Sequence, residues 1–376
     1  MIAVTLPPTR LERFLIGLQR GIVGMLFALK RPKDSKKQDP SRTILVVFGA
    51  LYDAANILSF PLHTSLGWTK IHSLVWIQNA LKYRNPFVAV IAHESNLQAA
   101  VIGVILSLLS VLAGCIVYSV RGFATGAFKS VRPLQVLRSS ARLVIIVQVS
   151  IVERLANIFV CGSTIPGYWT STSMACSDSL YMFLVALTVV LLTIFVGFSL
   201  TVTSVFFSRD YGSRSNDGRA HGRVEVTLLF MRIVLAFIFT GSVVPPTVRL
   251  LAVILAGFSF FYAYARYLPE FRSWLNIFKT AVGAVFLWSS LCAIPALMLS
   301  EDSPWRIYLG YIFMVGVPGS LLFGVLVVHL RINAYSKRVI TPGILRTPFD
   351  AELVARHALF AAGVIPHIHR IRPTVI

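Results

Sequence analysis

The chain has 376 residues and a formal net charge of +20, yet only 13% of its residues are charged and 56% are hydrophobic. An ordinary soluble domain carries about 25% charged residues, so this composition excludes that class of protein. An excess of Lys and Arg could suggest nucleic acid. In so hydrophobic a chain it is better explained by membrane topology and by contact with anionic lipid, and we expect no nucleic-acid partner.

The first thirty residues predict an amphipathic helix, because apolar residues recur there at helical spacing. The run is too short and too charged to cross a bilayer, so we expect it to lie in the membrane interface. The basic residues between positions 30 and 37 then suit an anionic inner leaflet. The alternative is a plain helix that packs on the rest of the protein; in either case residues 1–42 form a cytoplasmic segment. The apolar positions are Leu11, Phe14, Leu15, Leu18, Ile22, Met25, Leu26 and Leu29.

Eight apolar stretches follow. Each is long enough, at about 1.5 Å per helical residue, to cross roughly 30 Å of hydrocarbon. The sequence therefore predicts an all-α fold, a polytopic transmembrane helical bundle that occupies residues 43–330. The stretches are residues 44–62, 97–120, 143–161, 180–206, 226–243, 250–267, 277–299 and 307–330.

The basic residues predict how this bundle is oriented. Of the 35 Lys and Arg residues, 28 lie in, or at the edges of, the alternate gaps that include both ends of the chain. The other set of gaps holds five, and Arg154 and Arg232 lie inside spans. Because cytoplasmic segments carry the excess of basic residues, we expect both termini in the cytoplasm and an integral membrane protein, most simply of the plasma membrane.

The first outer gap, residues 63–96, is rich in aromatic residues and poor in charge. It contains Trp68, Trp76, Tyr83 and Phe87. Such side chains are typical of the headgroup region, so we expect an interfacial helix or a partly re-entrant segment.

Six polar residues inside the spans form a candidate site, because ionisable groups in a membrane are costly and often functional. Glu153 and Arg154 are adjacent and point about 100° apart, so they do not satisfy each other. The simplest arrangement pairs Arg154 with Asp53 and leaves Glu153 for a second partner such as Arg232, although the Arg232 side chain could instead extend to the headgroups. The cluster either fixes helix packing or forms a proton or ion pathway. Its members are Asp53, Asn56, Glu153, Arg154, Asn157 and Arg232.

The sequence contains no metal-binding motif, Gly-rich phosphate loop or nucleophile elbow. We therefore expect no enzyme activity, no cofactor and no metal.

Two cysteines, Cys161 and Cys176, flank a gap without Lys or Arg that is predicted to face the outside. Disulfides persist in that environment, and closing a loop of about 15 residues would contribute on the order of 3 kcal/mol. The alternative is two free thiols at helix ends.

The last part of the chain combines a tight connection, a kinked span and a tail. Pro245 and Pro246 join two spans directly, and Pro318 interrupts the last span. Residues 350–362 predict a soluble amphipathic helix, so residues 331–376 form a cytoplasmic tail and the start of a possible helical-repeat region.

The order of several short motifs resembles a known family. An inner loop with Arg138 precedes the third span, which carries Glu153 and ends in Cys161, and Cys176 opens the fourth. An Arg-x-His-x-Arg loop precedes the fifth span, and residues 348–356 follow the last. This resembles the N-terminal membrane region of the tiny macrocysts proteins of protists and fungi. The loop residues are Arg219, His221 and Arg223.

The resemblance implies a membrane bundle that precedes cytoplasmic helical repeats, often with PAS-type sensor modules. We therefore expect the membrane region of a signalling or sensory protein. Its partners would be a bilayer with an anionic inner leaflet and proteins on the cytoplasmic face. The alternative is a transporter or ion channel that uses Asp53, Glu153 and Arg154.

Overall fold

The protein is described by a computed structural model that covers residues 10–29, 40–68, 74, 95–126, 132–159, 179–205, 222–240, 244–268, 273–300 and 303–339. This part of the chain is helical and contains no β-strand, which confirms the all-α prediction. The chain divides into two compact units. The first comprises Met1–Asp34 and Ile91–Phe207, and the second comprises Ser35–Val90 and Ser208–Ile376.

The helices follow the predicted apolar stretches. They are α1 (Arg10–Leu29), α2 (Pro40–Leu58), α3 (Ser95–Thr125), α4 (Arg132–Ala156), α5 (Ser179–Val205), α6 (Gly222–Thr240), α7 (Pro246–Tyr267), α8 (Ser273–Met298) and α9 (Trp305–Val339). Within the described residues, five are long and apolar enough to cross a membrane: α3, α5, α7, α8 and α9. The other three predicted spans correspond to α2, α4 and α6, each of which contains charged residues.

The first unit contains α1, α3, α4 and α5. Helix α1 packs closely on α3 at two of its glycines. A Cβ atom at Gly21 would collide with the backbone oxygen of Val120, and one at Gly24 would lie 2.7 Å from the ring of Phe123. Gly21 and Gly24 are three residues apart on α1, and their partners Val120 and Phe123 are three residues apart on α3. Residue numbers therefore rise in the same direction along both helices, which run parallel there. The structure thus shows α1 packed on the bundle. Other apolar side chains of α1, such as that of Phe14, remain exposed.

Helix α8 is the centre of the second unit and packs against α7 and α9. Small residues allow a close approach between helices. A Cβ atom at Gly324 of α9 would lie 2.6 Å from the Cα atom of Ala281, and one at Gly316 would collide with the indole of Trp288. The residue numbers rise along α9 as they fall along α8, so these two helices are antiparallel.

Helices α2 and α6 of the same unit run parallel. Asp53 contacts Arg232, and seven residues later in each segment, at Phe60 just beyond the end of α2 and at Phe239 on α6, the ring centroids lie 5.5 Å apart. Because residue numbers rise in the same direction from the first contact to the second on both sides, the two helices run parallel. This parallel course brings the single acidic residue of α2 beside α6.

The start of the first outer gap packs into the protein core. Trp68 is fully buried, and its ring packs edge-on against Phe313 at 5.4 Å between centroids. Its indole nitrogen donates a hydrogen bond of 2.8 Å to the carbonyl of Pro61. Because its one polar atom is satisfied locally, the ring can be buried within the protein. The headgroup position of the aromatic residues in this gap stays a prediction, and Trp76, Tyr83 and Phe87 lie outside the described residues.

Candidate functional site: a buried polar network in the second unit

The network begins with a polar stripe on α6. Glu225 and Arg232 are seven residues apart, which is about two helical turns, so both lie on the same face. Both are buried, together with Leu228, Leu229 and Ala236. An otherwise apolar helix therefore buries one acid and one base against its neighbours.

Arg232 lies between two other helices. Its Nη1 atom donates to Oδ1 of Asp53 on α2 at 2.6 Å, and its Nη2 atom donates to the hydroxyl of Tyr264 on α7 at 2.7 Å. The guanidinium also lies over the ring of Phe260, 5.7 Å from its centroid. The Arg232 side chain is 5% exposed and that of Asp53 is 31% exposed. The base is thus enclosed, whereas the acid is open on one side.

A second ion pair joins α6 to α8. The ammonium of Lys279 lies 2.8 Å from Oε1 of Glu225, and both side chains are largely buried. The same ammonium lies over the ring of Tyr264, 5.5 Å from its centroid. Tyr264 therefore touches both pairs: its hydroxyl accepts a hydrogen bond from Arg232, and its ring faces Lys279.

The network contains as many positive as negative side chains, all of them in the second unit. Two bases and two acids form two pairs, and one tyrosine connects them across α2, α6, α7 and α8. Removing one member of a buried ion pair leaves an uncompensated charge and costs about 3–5 kcal/mol. Chemically, the network can hold four helices in one register, and Asp53 is more exposed than its partner Arg232.

The structure corrects the predicted pairing. The sequence predicts Arg154 as the partner of Asp53, but the carboxylate binds Arg232, which lies in the same unit, whereas Arg154 belongs to the first unit. Asn56 is buried in that unit, one turn after Asp53. Glu153, Arg154 and Asn157 belong to the first unit, on α4 and on the 3-10 turn Asn157–Phe159.

Three members of the network were missed from the sequence: Glu225, Tyr264 and Lys279. Glu225 and Lys279 stand at the edges of apolar stretches, where charged residues usually face water. Tyr264 lies in a run of aromatic residues that resembles ordinary lipid-facing sequence. One pattern in the sequence could have identified Glu225. It lies seven residues before Arg232, and this helical spacing predicts that the two residues share a face.

Several predicted features lie outside the described residues. These are the cysteines of the candidate disulfide, Cys161 and Cys176, and the loop residues Arg219 and His221. Arg223 lies in the first turn of α6, but its side chain is not described. Of the cysteines in the described residues, Cys115 and Cys292 are free. Within the same ranges, no three His, Cys, Asp or Glu residues form a group that could hold a metal ion.

The fold and the network together define an all-α chain whose most apolar helices have the length and composition of membrane spans, as in an integral membrane protein. Comparison with known proteins adds no family: no family model, no curated protein and no solved structure matches the chain.

Proposed function

We propose that this chain is the membrane region of a signalling or sensory protein of the plasma membrane, with no catalytic site of its own, and that α9 carries its output to the cytoplasm. The observation that carries this proposal is the length of α9. Its 35 residues extend about 52 Å, whereas the hydrocarbon core measures roughly 30 Å. About 20 Å of continuous helix therefore continues beyond the hydrocarbon, towards Lys337, Arg338 and the tail.

The topology in this proposal is eight spans with both termini in the cytoplasm. The distribution of Lys and Arg supports it. The helix directions in the second unit agree with it, since α2 and α6 run parallel while α8 and α9 run antiparallel. In this arrangement α9 ends on the cytoplasmic side, where the resemblance to the tiny macrocysts family places helical repeats.

Two local features suit α9 for transmitting movement. Pro318 lies inside the helix and removes one backbone hydrogen bond, which favours a bend near the middle of α9. Towards the other end, Val328 is fully buried against Leu268, the residue that ends α7, with Ile277 and Ile332 beside them. A movement of α7 or α8 is thus passed directly to the inner half of α9.

Distance measurements by pulsed electron spin resonance test this proposal. Spin labels at Tyr308→Cys, before Pro318 on α9, and at Ala334→Cys, after it, on a background without other cysteines, report how the two halves of α9 are placed relative to one another. We expect more than one distance in the otherwise native chain and a single narrow distance after Pro318→Ala. One narrow distance in both proteins would contradict the role given to α9.

A transporter is the second candidate, because Asp53 is one-third exposed while its partner is buried. Such a carboxylate could bind a proton or a cation and pass it on. Proteoliposomes that contain a pH-sensitive dye or a K⁺-sensitive dye separate the two functions. The signalling proposal expects flux no faster than that of empty vesicles, whereas flux that disappears in Asp53→Asn would establish transport.

A further inference from the structure

One side of α1 is apolar and is not covered by the protein. At 100° per residue, four apolar side chains lie within about 100° of one another around this helix. Each of them is between 39% and 66% exposed. Arg20, which is also exposed, lies at least about 120° away from each of them. This separation of apolar and polar sides is typical of a helix that contacts lipid. The four residues are Phe14, Leu15, Leu18 and Ile22.

The helix on which α1 packs indicates what meets this apolar side. Helix α3 is a candidate membrane span, and its residues Leu108, Val111 and Val117 are each at least 60% exposed. In an integral membrane protein such a surface faces hydrocarbon. Because α1 contacts α3 directly at Gly21 and Gly24, its own apolar side lies beside the same bilayer.

Two exposed basic residues mark the level at which α3 leaves the hydrocarbon. Gly21 packs against Val120, so their neighbours Arg20 and Arg121 lie at the same level in the two helices. Both arginines are exposed, whereas residues 97–120 of the chain carry no charge. Arginine at the end of a span extends to the headgroups, so this level corresponds to the membrane interface.

The direction of α1 determines which of its residues enter the hydrocarbon. Since α1 runs parallel to α3 there, the residues before Arg20 lie on the same side of this level as the apolar part of α3. Leu15 and Ile22 share a face and are seven residues, or about 10 Å, apart, so Leu15 lies in the hydrocarbon and Ile22 near the headgroups. Arg10 and Arg13 stand in the first turn of α1 and limit its depth, because a charge in hydrocarbon is costly.

We propose that α1 is a half-span, which enters the leaflet in which α3 ends and binds lipid acyl chains with its uncovered apolar side. The sequence alone predicts a helix that lies flat in the interface, whereas the contact with α3 inclines it into the bilayer. The basic residues between positions 30 and 37 follow α1 in the sequence, at its headgroup end, where anionic lipids attract them. This inference concerns the first unit and is independent of the role proposed for α9, which rests on the second.

Spin labelling of the full chain in phosphatidylcholine nanodiscs tests this inference. Single labels are attached at Leu15→Cys and Ile22→Cys, on a background without other cysteines. Their collision rates with O₂, which dissolves in hydrocarbon, and with a water-soluble nickel chelate give the depth of each label. A label at Leu108→Cys on α3 provides the reference for a deep position. We expect residue 15 to lie several Å deeper than residue 22 and to be less deep than residue 108.

Three results would overturn the proposal. Equal depths at residues 15 and 22 would describe a helix that lies flat in the interface. A label at residue 15 that meets the nickel chelate more often than O₂ would describe a face in water. A label at residue 15 that is shielded from both reagents would describe a face covered by protein, such as a second copy of this chain.

Two glycine variants provide the second measurement. Gly21→Ala places a Cβ atom against the backbone of Val120, so α1 must move away from α3 and the difference in depth between residues 15 and 22 should shrink. Gly17→Ala meets nothing within 4 Å and should keep this difference. The same difference in both variants would show that the contact with α3 does not incline α1, and would overturn that assignment. If Gly21→Ala does not fold, the two depths in the otherwise native chain still decide.

Discussion

The second unit owes its internal order to a few charged residues that would be costly alone. Arg232 is enclosed on α6, and its charge is acceptable there only because Asp53 and Tyr264 both contact it. Lys279 and Glu225 form the second pair. Since a buried pair contributes little net stability but its disruption costs much, we expect these residues to act mainly by specifying which helices are neighbours.

The pairing of Asp53 with Arg232 leads to the first prediction. Asp53→Asn leaves the Arg232 charge without a counter-charge and should lower the free energy of unfolding by about 3 kcal/mol. Adding Arg232→Gln to it should restore much of that loss, because the buried charge left without a counter-charge is then removed. Thermal unfolding in detergent measures both effects. Adding Arg154→Gln instead is the control and should restore nothing; rescue by that change and not by Arg232→Gln would contradict the pair.

The hydroxyl of Tyr264 gives the second prediction. Tyr264→Phe removes the acceptor for one guanidinium nitrogen of Arg232 but keeps the ring that faces Lys279. A hydrogen bond to a charged group contributes about 1.5–3 kcal/mol, and we expect destabilisation of that size. Tyr262→Phe, two residues earlier on an exposed position of the same helix, is the control and should change stability by less than about 0.5 kcal/mol. Equal effects of the two changes would exclude the proposed contact.

At the scale of single residues, the sequence predicted part of the buried polar network. Asp53, Asn56 and Arg232 stand out as polar residues within apolar stretches, and the structure brings all three into one unit. The partner of Asp53 could not be predicted, because spacing along a helix says which residues share a face and says nothing about which helices are adjacent. Glu225 and Lys279 were missed for a related reason. How deeply a residue near a helix end is buried depends on where the neighbouring helices begin, and the spacing of residues along one helix does not show this.

At the scale of the helices, close packing between α8 and α9 depends on residues without side chains. Gly324 and Gly316 allow the α9 backbone to approach α8, and Gly21 likewise allows α1 to approach α3 closely. Helix existence followed from apolar length alone, and five candidate spans agree with the predicted stretches. Helix contacts did not follow from it, because glycine in an apolar run is equally compatible with a lipid-facing surface.

The third prediction compares two glycines of α9. Gly324→Ala places a Cβ atom 2.6 Å from the Cα atom of Ala281, so the helices must separate, and overpacking of this kind costs about 1–3 kcal/mol. Gly319→Ala meets nothing within 4 Å, and because alanine favours helix more than glycine it should be neutral or slightly stabilising. Thermal unfolding of the two variants checks this. A Gly324→Ala protein as stable as the Gly319→Ala protein would show that α8 and α9 are not in this close contact.

At the scale of the whole molecule, the predicted single bundle consists of two compact units, and the chain enters each of them more than once. Such an interleaved order has no signature in local composition, since every apolar stretch looks similar. Both ion pairs of the buried network, Asp53 with Arg232 and Glu225 with Lys279, lie within the second unit, and the first of them joins two separate stretches of the chain.

The orientation of the whole chain gives the last prediction, which rests on the asymmetry of 28 against five basic residues between the two sets of gaps. Moving Lys or Arg across a membrane is unfavourable, so the richer set should face the cytoplasm. On a background without other cysteines, Ser215→Cys lies in a basic gap and Thr170→Cys in the gap without Lys or Arg. An impermeant thiol reagent added to intact cells should modify residue 170 and should reach residue 215 only after the cells are opened. The reverse pattern would invert the topology and would place the long inner end of α9, and with it the proposed output, on the outside of the cell.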